Sequence, residues 1–360
     1  MAKGHHPPGG PGIPGLPGLD PAALPPGVKV VPSIFDAIED GNEYGSIVSV
    51  LPGAPDLMPD VQRALAGIEL VRGRPCLCYA ANVVRDGTGD TAIGPSDHLP
   101  FNEMVDRVPA TKREIDILLA TPGGLVDQVN LFVEALRPRF DVVEFLVPYV
   151  AMSAGTLWAL SGDRIWMDSR SFLGPIDPQV QGRDGSLLPA QALLTLLDKI
   201  QKDGEVGLAK GQQPKWTDVV LLQHLDHRQL GAAITASTYV ATLAASYLEK
   251  FKFKTWTTHR THNPGAPVTP EERKARAEVV AGQLCSHDKW KAHGHKISRN
   301  VLESERILIE RVESVPGLQK ALRKAWAMLY YIFDKAPVSK LIISANYRYA
   351  RSSAPPARVP

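Results

Sequence analysis

The sequence predicts an α/β protein with a parallel sheet, followed by a mainly helical C-terminal part. Three observations carry this. Between residues 115 and 167, apolar runs of strand length alternate with amphipathic runs of helix length, in the order strand, turn, helix, strand, turn, helix, strand. The two turns that open helices are made of small residues. Beyond Pro178 the apolar spacing becomes that of helices almost throughout.

Taken in order, residues 7–27 are rich in Pro and Gly, with Gly12-Ile-Pro-Gly15-Leu-Pro-Gly18 in a collagen-like register far too short for a triple helix. Residues 1–30 are therefore read as a disordered leader, in which His5 and His6 carry no chemistry. Ile47–Leu51 and Cys76–Val84 read as strands. Pro59–Arg72 reads as a helix with Val61, Leu65, Ile68 and Leu70 on its apolar side. Arg85–Pro100, with Gly87, Gly89, Gly94 and Pro95, reads as a loop crossing the surface near the site.

Ile115–Ala120 is the next strand and Thr121-Pro-Gly-Gly124 a tight turn. Leu125–Arg137 shows Leu125, Val129, Phe132, Val133 and Leu136 at helical spacing, and Pro138 closes it. Val142–Val147 is a strand, Pro148–Gly155 a turn entering a helix through Leu160, and Arg164–Met167 a short strand. Leu187–Lys202, Thr217–Phe251, Pro270–Ser286 and Pro316–Phe333 have helical patterns, and Trp256–Thr269 is a basic, turn-rich linker. The domains expected are an α/β core at 31–255, a basic helical region at 256–350 and a frayed tail at 351–360.

With 360 residues, 44% hydrophobic and 22% charged, the chain can bury a large core, which excludes collagen-like, wholly disordered and disulfide-scaffold classes. Three cysteines (Cys76, Cys78 and Cys285) do not make a disulfide framework and fit a reducing cytoplasm. Cys76 and Cys78 alternate in an apolar run and read as buried core thiols. No secretory signal pattern opens the chain. The uncharged stretch Leu230–Leu248 approaches spanning length, but its hydroxyl side chains favour a buried core helix, so no transmembrane segment is expected.

The net charge of +2 hides a division. Residues 1–249 carry 19 basic and 29 acidic side chains, net −10, and residues 250–360 carry 21 and 9, net +12. The first reading is assembly, with basic C-terminal helices packing on acidic cores of neighbouring subunits. Nucleic-acid binding by the basic part rests on charge alone and is not expected.

Two turns carry the chemistry. Gly123 and Gly124 lie between a strand and a helix, where glycine permits close backbone approach and amides can face an anion or a developing oxyanion. In Ala151-Met-Ser-Ala-Gly155 a serine stands among small residues where a strand enters a helix. Small neighbours allow a sharp turn that exposes the hydroxyl, although spacing alone equally serves a serine N-cap.

Thr121–Gly124, Pro148–Thr156, Ser161-Gly-Asp163, Ile165–Met167 and Leu173-Gly-Pro-Ile-Asp-Pro-Gln179 together resemble the serine dehydrogenase proteinase family. That family belongs with signal peptide peptidase A and the ClpP/crotonase fold. The resemblance runs from about Val61 to Gln179 and more faintly to about Ile297. It implies strand–strand–helix repeats, a homo-oligomer, and peptide-bond hydrolysis through an acyl-enzyme on Ser153. Gly123, Gly124 and the amide of Ala154 would form the oxyanion hole.

The resemblance leaves the base open. At the place where ClpP carries its His, this chain has Ser171-Phe-Leu-Gly-Pro175. Relatives of signal peptide peptidase A use a Lys, which must be buried or beside a cation to act near neutral pH. Lys199 and Lys202 follow Ser153 by 46 and 49 residues, and Lys199 stands first because it falls near the apolar stripe. His293, in Trp290-Lys-Ala-His-Gly-His295, resembles a His-Gly segment of the family, and Asp177 could orient a base or tighten its own turn.

Cys285, His287, His293 and His295 match no standard zinc spacing, and no phosphate-loop or dinucleotide fingerprint appears, so neither metal nor cofactor is expected. Besides a cytoplasmic serine peptidase acting on peptides or proteins, the sequence leaves open a catalytically inactive scaffold or regulatory oligomer of the same fold, and an acyl-CoA enzyme.

Overall fold

The structure, a computed structural model, describes residues 38–50, 57–182, 185–259 and 263–353. The leader expected at 1–30 and residues 354–360 lie outside the described residues.

Four strands form where their apolar runs placed them: β1 (Cys76–Ala81), β2 (Glu114–Ala120), β3 (Val142–Val147) and β5 (Arg164–Met167); two short ones were not expected, β4 (Val150–Ala151) inside the turn read at Pro148–Gly155, and β6 (Phe172–Leu173). Later come β7 (Gln179–Gln181), β8 (Leu187–Pro189), β9 (Ile297–Ser298), β10 (Glu310–Arg311), β11 (Val338–Ser344) and β12 (Tyr347–Ser352). A seven-stranded sheet has the order β10-β5-β3-β2-β1-β11-β12. Its strands from β10 to β1 pair in parallel, and β11 and β12 close it antiparallel.

Strand alternation divides the interior into two cores, as expected of a sheet covered on both faces. Leu77, Tyr79, Ile117, Leu119, Phe145 and Val147 face one core. Cys76, Cys78, Ala80, Leu118, Ala120 and Leu146 face the other. Both thiols are thus core residues, and burial pushes their pKa values up.

The helices are α1 (Glu43–Val50), α2 (Met58–Arg72), α3 (His98–Asp106), α4 (Val126–Leu136), α5 (Ala154–Leu160), α6 (Ala190–Ala209), α7 (Trp216–His224), α8 (His227–Tyr247), α9 (Pro270–Cys285), α10 (His287–Trp290), α11 (Arg299–Ser304) and α12 (Leu318–Lys335). The fold is mixed α/β, with a helical part after the parallel strands.

Several expectations need correction. The strand expected at Ile47–Leu51 is helix over its described residues 47–50: Glu43, Ser46 and Ile47 are buried at helical spacing, and α1 lays Ile47 in the core beside α12. Leu70, expected on the apolar side of α2, is 75% exposed. The stretch Leu230–Leu248 is a half-buried helix in which Ala233, Val240, Ala244 and Tyr247 are the covered residues of α8. No helix among the described residues is long and apolar enough to cross a membrane. The C-terminal region is helical only through Lys335, since β11 and β12 then complete the central sheet and include Arg351 and Ser352 of the expected tail.

Part of the charge division is met inside the chain. Basic residues of the C-terminal part pair with acidic residues of the core: Lys254 with Asp163, Arg323 with Asp168 at 2.9 Å, Lys340 with Asp97 at 2.7 Å and Arg351 with Asp90. Helix α12 buries Leu318, Leu322, Met328 and Phe333 on its own subunit's core. The apolar face of this helix is thus covered within its own chain.

Candidate active site

Ser153 sits between β4 and α5 with φ 51° and ψ −121°. A non-glycine residue there is strained, and the sharp turn it makes is that of a nucleophile elbow. Its side chain makes no capping bond, so the reading as an ordinary N-cap does not describe it. Its hydroxyl makes no hydrogen bond to any described residue, and the residue is only half-buried.

What holds the elbow is behind it. All seven residues of α5 are buried. Trp158 packs against Tyr79, Phe101, Phe132 and Phe145 with ring centroids 4.8–5.8 Å apart. The Thr156 hydroxyl donates to the Ala151 carbonyl at 2.7 Å and accepts from the Gly174 N–H at 2.9 Å, tying the ends of β4 and β6 together.

The glycine turn is zipped to the elbow. The Thr121 N–H donates to the Val150 carbonyl at 3.0 Å, and the Met152 N–H donates to the Thr121 carbonyl at 3.0 Å. Gly123 has φ +105°, and a Cβ there would lie 2.7 Å from the Met152 carbonyl oxygen and 2.8 Å from the Ser153 Cβ. Gly124 has φ +151°, and a Cβ there would lie 2.3 Å from both the N and the O of Ile93. Only glycine fits either place. The Gly123 N–H is occupied, donating to Thr121 Oγ1 at 3.1 Å. The N–H groups of Gly124 and Ala154 have no acceptor among the described residues.

The small sheet β4-β6-β9 sets the other groups at the end of the sheet that Ser153 follows. β4 and β6 run parallel, with Ala151 opposite Leu173, and β9 runs antiparallel, with Ile297 opposite Leu173. Ser153 follows β4 by two residues, Asp177 follows β6 by four, and His293 precedes β9 by four. All three therefore lie at one end of this sheet. His293 Nδ1 is 2.9 Å from Asp177 Oδ1, and His287 Nδ1 is 3.3 Å from Asp177 Oδ2. The Asp177 side chain is 1% exposed and the His293 side chain 23%. A buried carboxylate on Nδ1 fixes the imidazole tautomer and leaves Nε2 for a substrate-side proton.

His293 lines a cleft of about 520 Å³ together with Asn82, Thr91, Pro122, Tyr149 and Met152. Thr88 and Arg85, from the expected loop, also line this cleft. A second hollow of about 350 Å³ lies beyond Tyr149, against Tyr44, Trp326 and Tyr330, and contains no Ser, His or Cys. Cys285 lies near Asp177, but burial pushes its thiol up to about 12, too high for a thiolate nucleophile near neutrality.

The two lysines are placed otherwise. Lys199 and Lys202 are exposed on α6. Lys202 is 2.6 Å from Asp198, and that bond raises its pKa. Neither has the burial that a lysine base requires. Sequence reasoning noted Asp177 as a possible orienting group but missed His287, whose approach depends on the packing of α10 beside the Asp177 turn.

Residues 103–206 match the family of ClpP-like SDH-type serine proteinases, so the resemblance read from the sequence holds over that stretch. The stretch includes Gly123, Gly124, Ser153, Asp177 and Lys199, and ends before His293. Two uncharacterized proteins of Methanocaldococcus jannaschii are similar. One, MJ0137, is 42% identical over 74 residues, 21% of this chain and 26% of the relative. The other, MJ1495, is 39% identical over 66 residues, 18% of this chain and 23% of the relative. The chain thus spans about a quarter of the length of these relatives. Among solved structures, a serine variant of the 1510-N membrane-bound stomatin-specific protease is 14% identical, over 64% of this chain and 79% of that one, with a TM-score of 0.37. A lysine variant of the same protease, in complex with a substrate peptide, is 13% identical over 73% of this chain and 84% of that one, also at 0.37.

Proposed function

We propose that this chain hydrolyses peptide bonds through an acyl-enzyme on Ser153, with His293 as the general base and Asp177 as its orienting carboxylate. One observation carries the reading: the strand ends of β4, β6 and β9 converge, with Ser153 strained at one and the His293–Asp177 pair at the other two. The match to ClpP-like serine proteinases supports the reaction class.

His293 Nε2 takes the Ser153 proton as Oγ attacks the scissile carbonyl, and Asp177 stabilises the imidazolium. The oxyanion accepts from the N–H groups of Gly124 and Ala154, whose acceptors are otherwise lacking among the described residues. Gly123 serves differently from the sequence expectation, since its own N–H is given to Thr121. His293 then protonates the leaving amine, and water repeats the cycle on the acyl ester. Peptides or unfolded protein segments are the substrate class.

A scaffold that had lost catalysis has no use for a strained serine, which argues against the inactive alternative. The test compares Ser153→Ala, His293→Ala and Lys199→Ala in peptide hydrolysis and in labelling by a fluorophosphonate probe. Loss in the first two with activity kept in the third is expected. Activity that survives His293→Ala and vanishes with Lys199→Ala would overturn the assignment of the base.

A further inference from the structure

Lys340 and Asp97 are fully buried, each with a side-chain exposure of 0%. Lys340 comes from β11, far outside the stretch that matches the family, and Asp97 from the loop before α3. Lys340 Nζ donates to both Asp97 oxygens at 2.7 Å and to the Ala92 carbonyl at 2.8 Å. Asp97 Oδ2 also accepts from the Tyr79 hydroxyl at 2.8 Å and from the Gly94 N–H at 3.0 Å.

These bonds converge on the two neighbours of one residue. Ala92 and Gly94 flank Ile93, and Ile93 is the backbone template of the glycine turn. Its N–H donates to the Gly123 carbonyl at 2.8 Å, and its carbonyl accepts from the Leu125 N–H at 2.9 Å. Gly124 lies so close to Ile93 that no Cβ fits between them. The same loop is fastened once more from β12, where Arg351 binds Asp90 and donates to the Ser96 carbonyl at 3.1 Å.

A fully buried ion pair is weak evidence for stability, because its desolvation cost offsets its attraction and apolar replacements of equal volume do about as well. Its effect here is geometric. We infer that the Asp97–Lys340 pair is a positioning device for the oxyanion turn: it pins Ile93, and Ile93 sets where the Gly124 N–H points. This rests on the peptidase reading above for its catalytic consequence, but not for its structural one. The C-terminal hairpin is thereby part of the active-site architecture, although it supplies no catalytic residue.

The test uses the full chain carrying Asp97→Asn together with Lys340→Met, which removes both charges and leaves an amide able to bond Tyr79 and Gly94. A control, Leu65→Ala, weakens the opposite core without touching the loop. In the double variant kcat should fall about ten- to hundredfold with KM within about twofold, because a displaced oxyanion donor acts on the transition state. A peptide aldehyde, which binds as a tetrahedral adduct, should weaken by the same factor. The control should keep the kcat of its folded fraction. An unchanged kcat in folded double variant, or a loss confined to KM, would overturn the inference.

A second readout does not depend on hydrolysis. The amide protons of Ile93 and Leu125 should exchange faster in the double variant than in the control at matched global stability. Equal protection in the two would overturn the inference, even if the wild type showed no Ser153-dependent hydrolysis. That last result would instead overturn the peptidase reading and leave the exchange data to decide the positioning role.

Discussion

Ser153→Gly should make this protein more stable, while Ser153→Ala should not. At φ 51° and ψ −121° the Cβ of residue 153 is held in a region that side chains rarely adopt. Such strain costs about 1–3 kcal/mol. Glycine relieves it, and loses about 0.5–1 kcal/mol through the greater freedom of the unfolded chain. The midpoints of these two ranges give a net gain of about 1 kcal/mol, within a range of about 0–2.5 kcal/mol. Alanine keeps the Cβ and therefore the strain, and it removes a hydroxyl that bonds no described residue, so its effect should be close to zero. Urea denaturation of the three proteins side by side, followed by circular dichroism, reads the difference as a shift in midpoint at constant slope. Both variants should lose probe labelling. A Ser153→Gly protein no more stable than Ser153→Ala would refute the claim that the elbow stores strain.

Three further outcomes follow from the same geometry. Asp177→Asn should lower kcat by about 10³–10⁴-fold with the protein still folded, because the imidazole loses its tautomer and its counter-charge; steady-state kinetics on a peptide ester checks this. Gly123→Ala should cost about 10²-fold in kcat, since its Cβ would stand 2.8 Å from that of Ser153 and force the turn aside. Lys252 is buried with its pKa lowered from 10.5 to about 8, chiefly by desolvation. Between those two values the unfolded chain binds more protons than the folded one, so stability should rise with pH across that window. Below it the cost is fully present, at most about 3 kcal/mol. Lys252→Met should raise the urea midpoint at pH 7 and flatten the rise between pH 8 and 10.

Much of the site could be read from local pattern. The strand–turn–helix rhythm at 115–167 placed β2, β3, β5, α4 and α5 within a residue or two, because a buried parallel strand needs a continuous apolar run and its helix an amphipathic one. The small residues around Ser153 and the paired glycines were visible for the same reason: their steric demands are local. His293 was named among the candidate bases, but its pairing with Asp177 was not legible: it lies 140 residues beyond Ser153, and only the antiparallel seat of β9 on β6 brings it near Asp177. Lys199 looked suitable because it sits beside an apolar stripe, but α6 buries little and leaves that lysine in water.

The C-terminal strands were hidden by their own chemistry. β11 carries Lys340 in its middle, which breaks an apolar pattern unless its buried partner Asp97 is known. Ile47–Leu51 failed for the opposite reason, since five apolar-rich residues fit a strand or a helix, and packing against α12 decided for the helix. The charge division between residues 1–249 and 250–360 is partly met within the chain, by pairs such as Lys340–Asp97 and Arg323–Asp168.

The measurement closest to the central claim is covalent labelling of the intact protein by a fluorophosphonate at neutral pH, with the modified residue located by peptide mass spectrometry. A single adduct on Ser153, abolished by His293→Ala and unaffected by Lys199→Ala, is the predicted result. No adduct on Ser153 in the folded wild-type protein, or an adduct that persists without His293, would contradict it.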